Sequence, residues 1–165
     1  MNTVDPAMIL PGLGPVLSDL TERFGARIQP VKVARPDEVY FQAPMELIPG
    51  VCALLYKKWD ARLISLFADD ARAQDGSFHL YYVFALDAVH GFIILSVAVS
   101  AAQPQFISLT NALPAVNWQE REIQDWYGIE AAGHPNPRRV ALHDNWPDVH
   151  PLRKDFALDT ALPPL

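Results

Sequence analysis

The chain has 165 residues, half of them hydrophobic, which is enough for one domain with a real core, with or without short tails. Its net charge of −6 argues against a general nucleic-acid binder, because such proteins carry an excess of positive charge. The one cysteine, Cys52, excludes a disulfide framework within the chain and any all-cysteine iron–sulfur site, and it suits a reducing cytoplasm.

The sequence shows no segment that would place the chain in a membrane by itself. No basic region followed by an apolar run stands at the N-terminus, so no secretory signal is predicted. The most apolar stretch, residues 92–102, is about half the length that a bilayer-spanning helix needs. If the protein works at a membrane, another component must hold it there.

The first sixty residues predict two helices and two irregular strands. Helical spacing covers residues 15–24 and 44–59, and extended segments are predicted at 27–35 and 38–43. Gly25 ends the first helix, and Pro49 allows the regular part of the second to begin only there. Cys52 lies beside the apolar stripe of the second helix, which favours a small core residue over a reactive thiol.

A β-hairpin is predicted for the middle of the chain. Strands are expected at 62–68, 78–86 and 92–100, and the short link between the last two makes them a hairpin. Apolar residues alternate along 78–86, so one sheet face should pack on helices while the other stays partly open. We therefore expect an α+β fold with a mixed or antiparallel sheet of about four strands, two helices on one face, a short C-terminal helix and an extended C-terminal tail. The predicted domain covers residues 1–156, with a tail at 157–165.

The short C-terminal helix begins at Asn117, a residue that suits the N-cap position. Glu120 stands three residues further on, as in a capping box, and Gly128 suits a left-handed C-terminal cap. Arg121 and Asp125 have the spacing of an exposed ion pair. The pattern predicts that the helix buries Ile123, Trp126 and Tyr127 and directs Trp118, Arg121, Glu122 and Asp125 outward.

The segments around this helix contain few regular elements. Residues 101–114 are expected to form a loop with one helical turn after Ser108, and 139–142 resemble a short strand. Residues 150–156 should be extended because Pro151 restricts the residue before it. An extended segment has many backbone groups to satisfy, so we expect it to lie along a partner protein, with Arg153 as the polar contact.

Several side chains suggest chemistry, but each has a simpler interpretation. Glu120, Glu122 and Asp125 could form an acid–base set, yet a solvated or partner-facing helix explains them as well. Metal ligation by His134, His143 and His150 with Asp144 and Asp148 matches no compact zinc spacing, which favours hydrogen-bonded loop histidines. The pairs Arg138-Arg139 and Arg153-Lys154 are weak evidence for binding of a phosphate or a lipid head group in an acidic chain. No nucleotide-binding motif is present, so no catalytic, cofactor or metal site is predicted.

The C-terminal third nevertheless carries a long, specific pattern. Glu120-Arg121-Glu122, Asp125-Trp126-Tyr127-Gly128, Gly133-His134-Pro135, Arg138-Arg139 and the run from His150 to Phe156 resemble the 30 kDa subunit of respiratory NADH:quinone oxidoreductase, complex I. The resemblance is strong over residues 106–156. It implies contacts with partner subunits through the motif residues Glu120, Arg121, Glu122, Asp125, Tyr127, Gly128, His134, Pro135, Arg138, Arg139, His150, Pro151, Leu152, Arg153, Lys154, Asp155 and Phe156.

The resemblance implies a peripheral-arm subunit that has no cofactor of its own and no activity in isolation. Its partners would be the large, 49 kDa-type quinone-site subunit and other peripheral-arm subunits, on the cytoplasmic face of the inner membrane. The same domain occurs in membrane-bound, energy-converting [NiFe] hydrogenases and formate hydrogenlyase complexes. The segment 144–149 and the short chain favour that alternative, whereas the commoner occurrence of the respiratory type favours complex I.

Overall fold

The computed structural model describes residues 6–157, which divide into two compact units. The first unit contains residues 6–66 and 80–98, and the second contains 67–79 and 99–157. Strands of the main sheet contribute residues to both units. The expected domain at 1–156 and tail at 157–165 stay predictions, and residues 158–165 lie outside the described part of the chain.

The two predicted helices of the first unit are present. Helix α1 spans Gly14–Phe24 and stops where Gly25 takes a φ of 62°, a conformation that favours glycine. Helix α2 spans Ile48–Lys58 after a 3₁₀ turn at Met45–Leu47, so the regular helix begins next to Pro49, as the sequence allowed.

Polar contacts join helix α1 to the C-terminal end of helix α2. Asp19 of α1 accepts a hydrogen bond from the Trp59 indole at 2.8 Å and pairs with Lys58 Nζ at 2.7 Å. The Lys58 ammonium, together with the indole donor, lowers the pKa of Asp19. On the apolar side, Val16 and Leu20 of α1 and Val51 and Leu55 of α2 are fully buried. Cys52 is buried as predicted, and this burial raises the pKa of its thiol.

The main sheet has five strands rather than about four. They are β1 (Gln29–Arg35), β2 (Glu38–Gln42), β3 (Arg62–Asp70), β4 (Ser77–Leu86) and β5 (Gly91–Ser100), in the order β1-β2-β5-β4-β3. β1 and β2 are antiparallel, and β2 runs parallel to β5, so the sheet is mixed, as predicted. The strands β4 and β5 of the hairpin occupy interior positions of the sheet, with β2 beside β5 and β3 beside β4. This position fits the many apolar residues that both strands bury. Phe78, Leu80, Tyr82, Phe84 and Leu86 of β4 are all buried.

Two short strands in the second unit were missed. β6 (Gln105–Ile107) and β7 (Glu130–Ala132) pair in parallel, on either side of helix α4 (Asn117–Tyr127) in the sequence. A one-turn helix, α3 (Arg72–Asp75), lies between β3 and β4 in the sequence. The strand predicted at 139–142 is wrong, because the amides of residues 140–142 converge on a carboxylate instead of a neighbouring strand.

The closing segment, residues 150–156, is not extended. It forms consecutive turns, with Arg153 N donating to His150 O at 3.1 Å and Phe156 N donating to Arg153 O at 3.0 Å. Pro151 is accommodated because its fixed φ also suits a turn. The prediction of an extended segment is therefore wrong, and the amides of Leu152 and Lys154 also find acceptors within the same unit.

Candidate interaction site around helix α4

Helix α4 begins without the predicted Asn117 cap. A 3₁₀ turn at Pro114–Val116 leads straight into the helix, so Asn117 already has helical angles and its side chain makes no capping bond. Glu120 accordingly does not complete a capping box. Replacement of Asn117 by alanine therefore removes no capping bond.

Glu120 instead holds the loop that precedes α4. Its side chain is fully buried, and its carboxylate accepts hydrogen bonds from Ser108 Oγ at 2.6 Å, Leu109 N at 2.6 Å and Thr110 Oγ1 at 2.7 Å. His134 Nε2 lies 3.8 Å away, too far for a hydrogen bond. A carboxylate that accepts from several donors can stay buried, because the donors replace the water that it loses.

Arg121 and Asp125 both bind the loop that follows β7, rather than each other. Arg121 donates from Nε to Arg138 O at 2.7 Å and from Nη2 to Arg139 O at 3.0 Å. Oδ2 of Asp125 accepts from the backbone N–H groups of residues 140, 141 and 142 at 2.9, 2.8 and 3.2 Å. Asp125 is only 4% exposed, so the prediction that it points outward is wrong, whereas Glu122 and Trp118 are exposed as expected.

His134 and Arg139 complete the anchoring of this loop. His134 Nε2 lies 3.3 Å from Asn117 O, and its Nδ1 accepts the Asn136 N–H at 3.0 Å, which assigns the proton to Nε2. Arg139 Nη1 donates to Trp146 O at 2.6 Å. Both side chains therefore bond to the backbone, in line with the interpretation of His134 as a hydrogen-bonded loop histidine.

The closing segment covers the C-terminal end of α4. Leu152 N donates to Trp126 O at 3.1 Å, Arg153 Nε donates to Tyr127 O at 2.6 Å, and His150 Nδ1 lies 3.1 Å from Asp125 O. These carbonyls belong to the last turn, where a helix has no internal donors left and its dipole favours cations.

Gly128 makes this approach possible for two reasons. Its φ of 66° is the left-handed cap that the sequence predicted, and a side chain there would overlap His150 and Arg153. Glycine at this position is therefore required both by the backbone angle and by the closeness of the closing segment.

A buried ion pair fixes the far end of the closing segment. Asp70, only 2% exposed, accepts from Arg72 Nη2 at 2.7 Å and from Lys154 N at 2.9 Å, and Arg72 also binds Asp155 at 2.7 Å. The guanidinium of Arg72 holds the pKa of Asp70 well below its usual range and also lowers that of Asp155. The Phe78 ring lies 5.0 Å from the Arg72 guanidinium.

Phe78 also contacts Arg153 and Tyr127, two residues of the family motif. Its ring centre lies 5.5 Å from the guanidinium of Arg153 and packs edge-on against Tyr127, with ring centres 6.2 Å apart. Desolvation raises the pKa of Tyr127 and lowers that of Arg153. This part of the predicted site thus packs around one aromatic ring of β4.

The predicted site residues all lie in the second unit, but they fall into two groups. Most are buried or half-buried, and the exposed ones are Glu122, Pro135, Arg138, Leu152, Lys154 and Asp155, the last of which pairs with Arg72. The sequence interpretation missed the partners Asp70, Arg72, Ser108 and Thr110. Asp70 and Arg72 have one signal in the sequence, an acid and a base two residues apart after a predicted strand. The local pattern of that segment indicates only a polar turn.

The described residues contain neither a metal cluster nor a membrane-spanning helix. Within residues 6–157, no three His, Cys, Asp or Glu side chains gather where they could hold a metal ion. No helix in the same range is long and apolar enough to cross a bilayer.

Comparison with known proteins places this arrangement in a family. The family model for the 30 kDa subunit of respiratory-chain NADH dehydrogenase matches residues 41–161. Hydrogenase-4 component G of Escherichia coli is 36% identical over 151 residues, covering 90% of this chain, and formate hydrogenlyase subunit 5 of the same organism is 35% identical over 141 residues, covering 84%. An NADH-quinone oxidoreductase subunit of Salinispora tropica is 32% identical over 146 residues, covering 86%.

The chain spans only part of these relatives. It covers 27% of hydrogenase-4 component G, 25% of formate hydrogenlyase subunit 5 and 59% of the Salinispora protein.

Two solved structures share the fold at low sequence identity. A trypsin-resistant fragment of Nqo5 aligns with a TM-score of 0.62 at 20% identity, over 75% of this chain and 98% of the fragment. A chain of the membrane-bound sulfane sulfur reductase, an archaeal respiratory membrane complex, aligns with a TM-score of 0.72 at 17% identity, over 87% of this chain and 85% of that one. The family model matches most of the chain, and the two solved structures share its fold. The chain therefore belongs to the family of the 30 kDa subunit of respiratory-chain NADH dehydrogenase.

Proposed function

We propose that the chain is a non-catalytic peripheral-arm subunit of an NADH:quinone oxidoreductase. In this role it assembles with the large quinone-site subunit and supports electron transfer from NADH to quinone coupled to proton translocation. The observation that carries the proposal is the family match over residues 41–161, which includes α4 and the closing segment.

The chemistry of the site supports a structural role. The carboxylates of Glu120 and Asp125 accept hydrogen bonds from loop backbone and hydroxyl groups, and Arg121 donates to two carbonyls. Groups engaged in this way are held in one geometry by bonds within their own unit, whereas a general acid or base must exchange a proton with a substrate. The site therefore suits positioning of a surface for partner subunits.

A membrane-bound [NiFe] hydrogenase or formate hydrogenlyase complex is the second candidate setting. It is favoured by the 36% and 35% identity to hydrogenase-4 component G and formate hydrogenlyase subunit 5. The segment from Asp144 to Val149 before the closing motif points the same way. In this setting the partner is a nickel-binding large subunit, and the chain keeps the same positioning role.

In either setting we place the protein on the cytoplasmic face of the inner membrane, held there by the other subunits. Its partners would be the large redox subunit and further peripheral-arm subunits, with no nucleic acid and only indirect membrane contact. The motif residues would act at two levels, some by fixing the loops and others by touching the partner.

Affinity purification from the native host tests the proposal. The tagged full chain should retrieve a large redox subunit, and the purified assembly should reduce quinone with NADH in the first setting or turn over hydrogen in the second. The chain purified alone should be colourless and should oxidise neither NADH nor hydrogen. Stoichiometric iron with turnover in the isolated chain would overturn the non-catalytic role, and failure to retrieve any redox subunit would overturn the assembly role.

A further inference from the structure

The exposed side of α4 carries a surface that its internal hydrogen bonds leave open. Its members are Trp118, Glu122, Pro135, Asn136, Pro137 and Arg138, all exposed, and we call it the Trp118 surface. Trp118 is 65% exposed, and Glu122 follows one turn later on the same helix face. The loop lies beside them because Gln124 Nε2 binds Pro137 O at 3.1 Å and Arg121 Nε binds Arg138 O at 2.7 Å.

Hydrogen bonds within its own unit anchor the loop part of this surface. The loop is held at its start by His134, which bonds to the Asn136 amide and lies against Asn117 O. It is held further along by Gln124 and Arg121, and two prolines limit its backbone freedom. A surface fixed in this way loses little conformational entropy when it binds, which favours its use as a docking face.

Within residues 6–157, neither Arg121 nor Arg138, the two arginines at this face of the unit, has an acidic partner. The carboxylate of Asp125 is occupied by the backbone of residues 140–142. Arg121 donates from Nε and Nη2 to carbonyls, and its guanidinium lies 5.7 Å from the Trp118 ring centre. Its Nη1 makes no hydrogen bond within the described residues, so a donor stays available next to the ring.

Tryptophan and arginine dominate the energetic centres of protein interfaces. We propose that the Trp118 surface docks a protein partner that presents a carboxylate beside an apolar side chain. Arg121 and Arg138 bind the carboxylate, and Trp118 packs on the apolar group. The inference rests on the proposed assembly function and names the face and the partner chemistry. The whole chain carries a net charge of −6, so two arginines without an ion-pair partner in residues 6–157 form a local positive feature that a carboxylate complements.

The test compares two surface variants with two matched controls in the purified assembly. Trp118→Ala and Arg138→Glu remove the proposed contacts, while Tyr56→Ala and Arg27→Glu make the same changes at exposed positions of the first unit. We expect Trp118→Ala to weaken binding of the co-purifying large redox subunit by about 30-fold. Arg138→Glu should weaken it by about tenfold, more strongly at low salt. Both controls should bind within about twofold of the wild type.

A photoreactive benzoylphenylalanine at position 118 gives a second measurement that does not depend on variant stability. It should crosslink to a peptide of the redox subunit that contains Asp or Glu next to an apolar residue. A crosslink confined to a peptide without an acidic residue would overturn the inference.

The remaining outcomes separate this inference from the function beneath it. If the wild type retrieves the redox subunit and the two surface variants match the controls, the docking face is wrong and the assembly function stands. If the wild type retrieves no redox subunit, both fall. A dimer of the isolated chain that Trp118→Ala dissolves, or binding to phosphatidylglycerol vesicles that Arg138→Glu abolishes, would assign the surface to a different occupant and overturn the proposal.

Discussion

Replacement of Glu120 by alanine tests whether the α4 motif holds the fold from within. The carboxylate is fully buried and accepts three short hydrogen bonds, from Ser108, Leu109 and Thr110. A hydrogen bond to a charged group contributes about 1.5–3 kcal/mol, but these three share one carboxylate and do not add fully. We expect Glu120→Ala to lower the free energy of unfolding by about 3–5 kcal/mol, which is a large part of a typical domain's stability.

Glu122→Ala is the matched control, because Glu122 is an exposed glutamate on the same helix. It should change the free energy of unfolding by less than about 0.5 kcal/mol. Glu120→Gln keeps one carbonyl acceptor and should lie between the two. Urea unfolding at pH 7, followed by tryptophan fluorescence, measures all three. Equal losses for Glu120→Ala and Glu122→Ala would refute the internal role of Glu120.

Two changes and one labelling experiment probe other parts of the structure. Asp70→Asn should lower the free energy of unfolding by about 2 kcal/mol at neutral pH. Because Arg72 lowers the folded-state pKa of Asp70, this loss should hold above about pH 4 and shrink as the pH falls below it. Urea titrations at several pH values measure it. Cys52 should resist a thiol reagent in the native state and react in urea, since burial raises its pKa; rapid native labelling would contradict that. A chain that ends at Asp148 should melt several degrees lower than the full chain, because α4 loses the donors on its last carbonyls; unchanged melting would show that the closing segment is dispensable for the fold.

The sequence predicted those parts of the fold that depend on local periodicity. The alternation along β4 and the glycine stops at Gly25 and Gly128 each follow from neighbouring residues alone, and the structure confirms them. The small sheet of β6 and β7 was missed because three-residue strands carry no periodic signal. The closing segment was predicted wrongly because its turns are stabilised by groups distant in sequence, such as Asp70, 84 residues before Lys154.

The site shows the same limit in its charges. Sequence spacing identified the motif residues, and the resemblance assigned them to partner contacts. In the structure, Glu120 and Asp125 are buried and bind loop residues. Their burial was not predicted because no local sequence pattern predicts the course of these loops. An exposed acidic helix face and a buried anchor therefore give the same sequence pattern, and only Glu122 follows the first interpretation.

Arg121 and Asp125 bind the loop rather than each other, although their spacing suggests an ion pair. The strengths of the two arrangements explain this outcome. Residues four apart lie about 40° from each other around a helix, so both face the same loop. An exposed pair of this kind contributes about 0.2–0.5 kcal/mol. Bound to the loop, Asp125 accepts three backbone N–H groups and Arg121 donates to two carbonyls. Each charge-assisted bond is stronger than the pair itself.

The loop presents its carbonyls at residues 138–139 and its N–H groups at 140–142, next to the cation and the anion respectively. The order of charges on the helix therefore matches the polarity of the backbone that it holds. Exchange of the two charges would place a guanidinium against N–H groups and a carboxylate against carbonyls, with repulsion at both ends. The motif thus specifies the path of the loop that carries Arg138, whose carbonyl Arg121 holds.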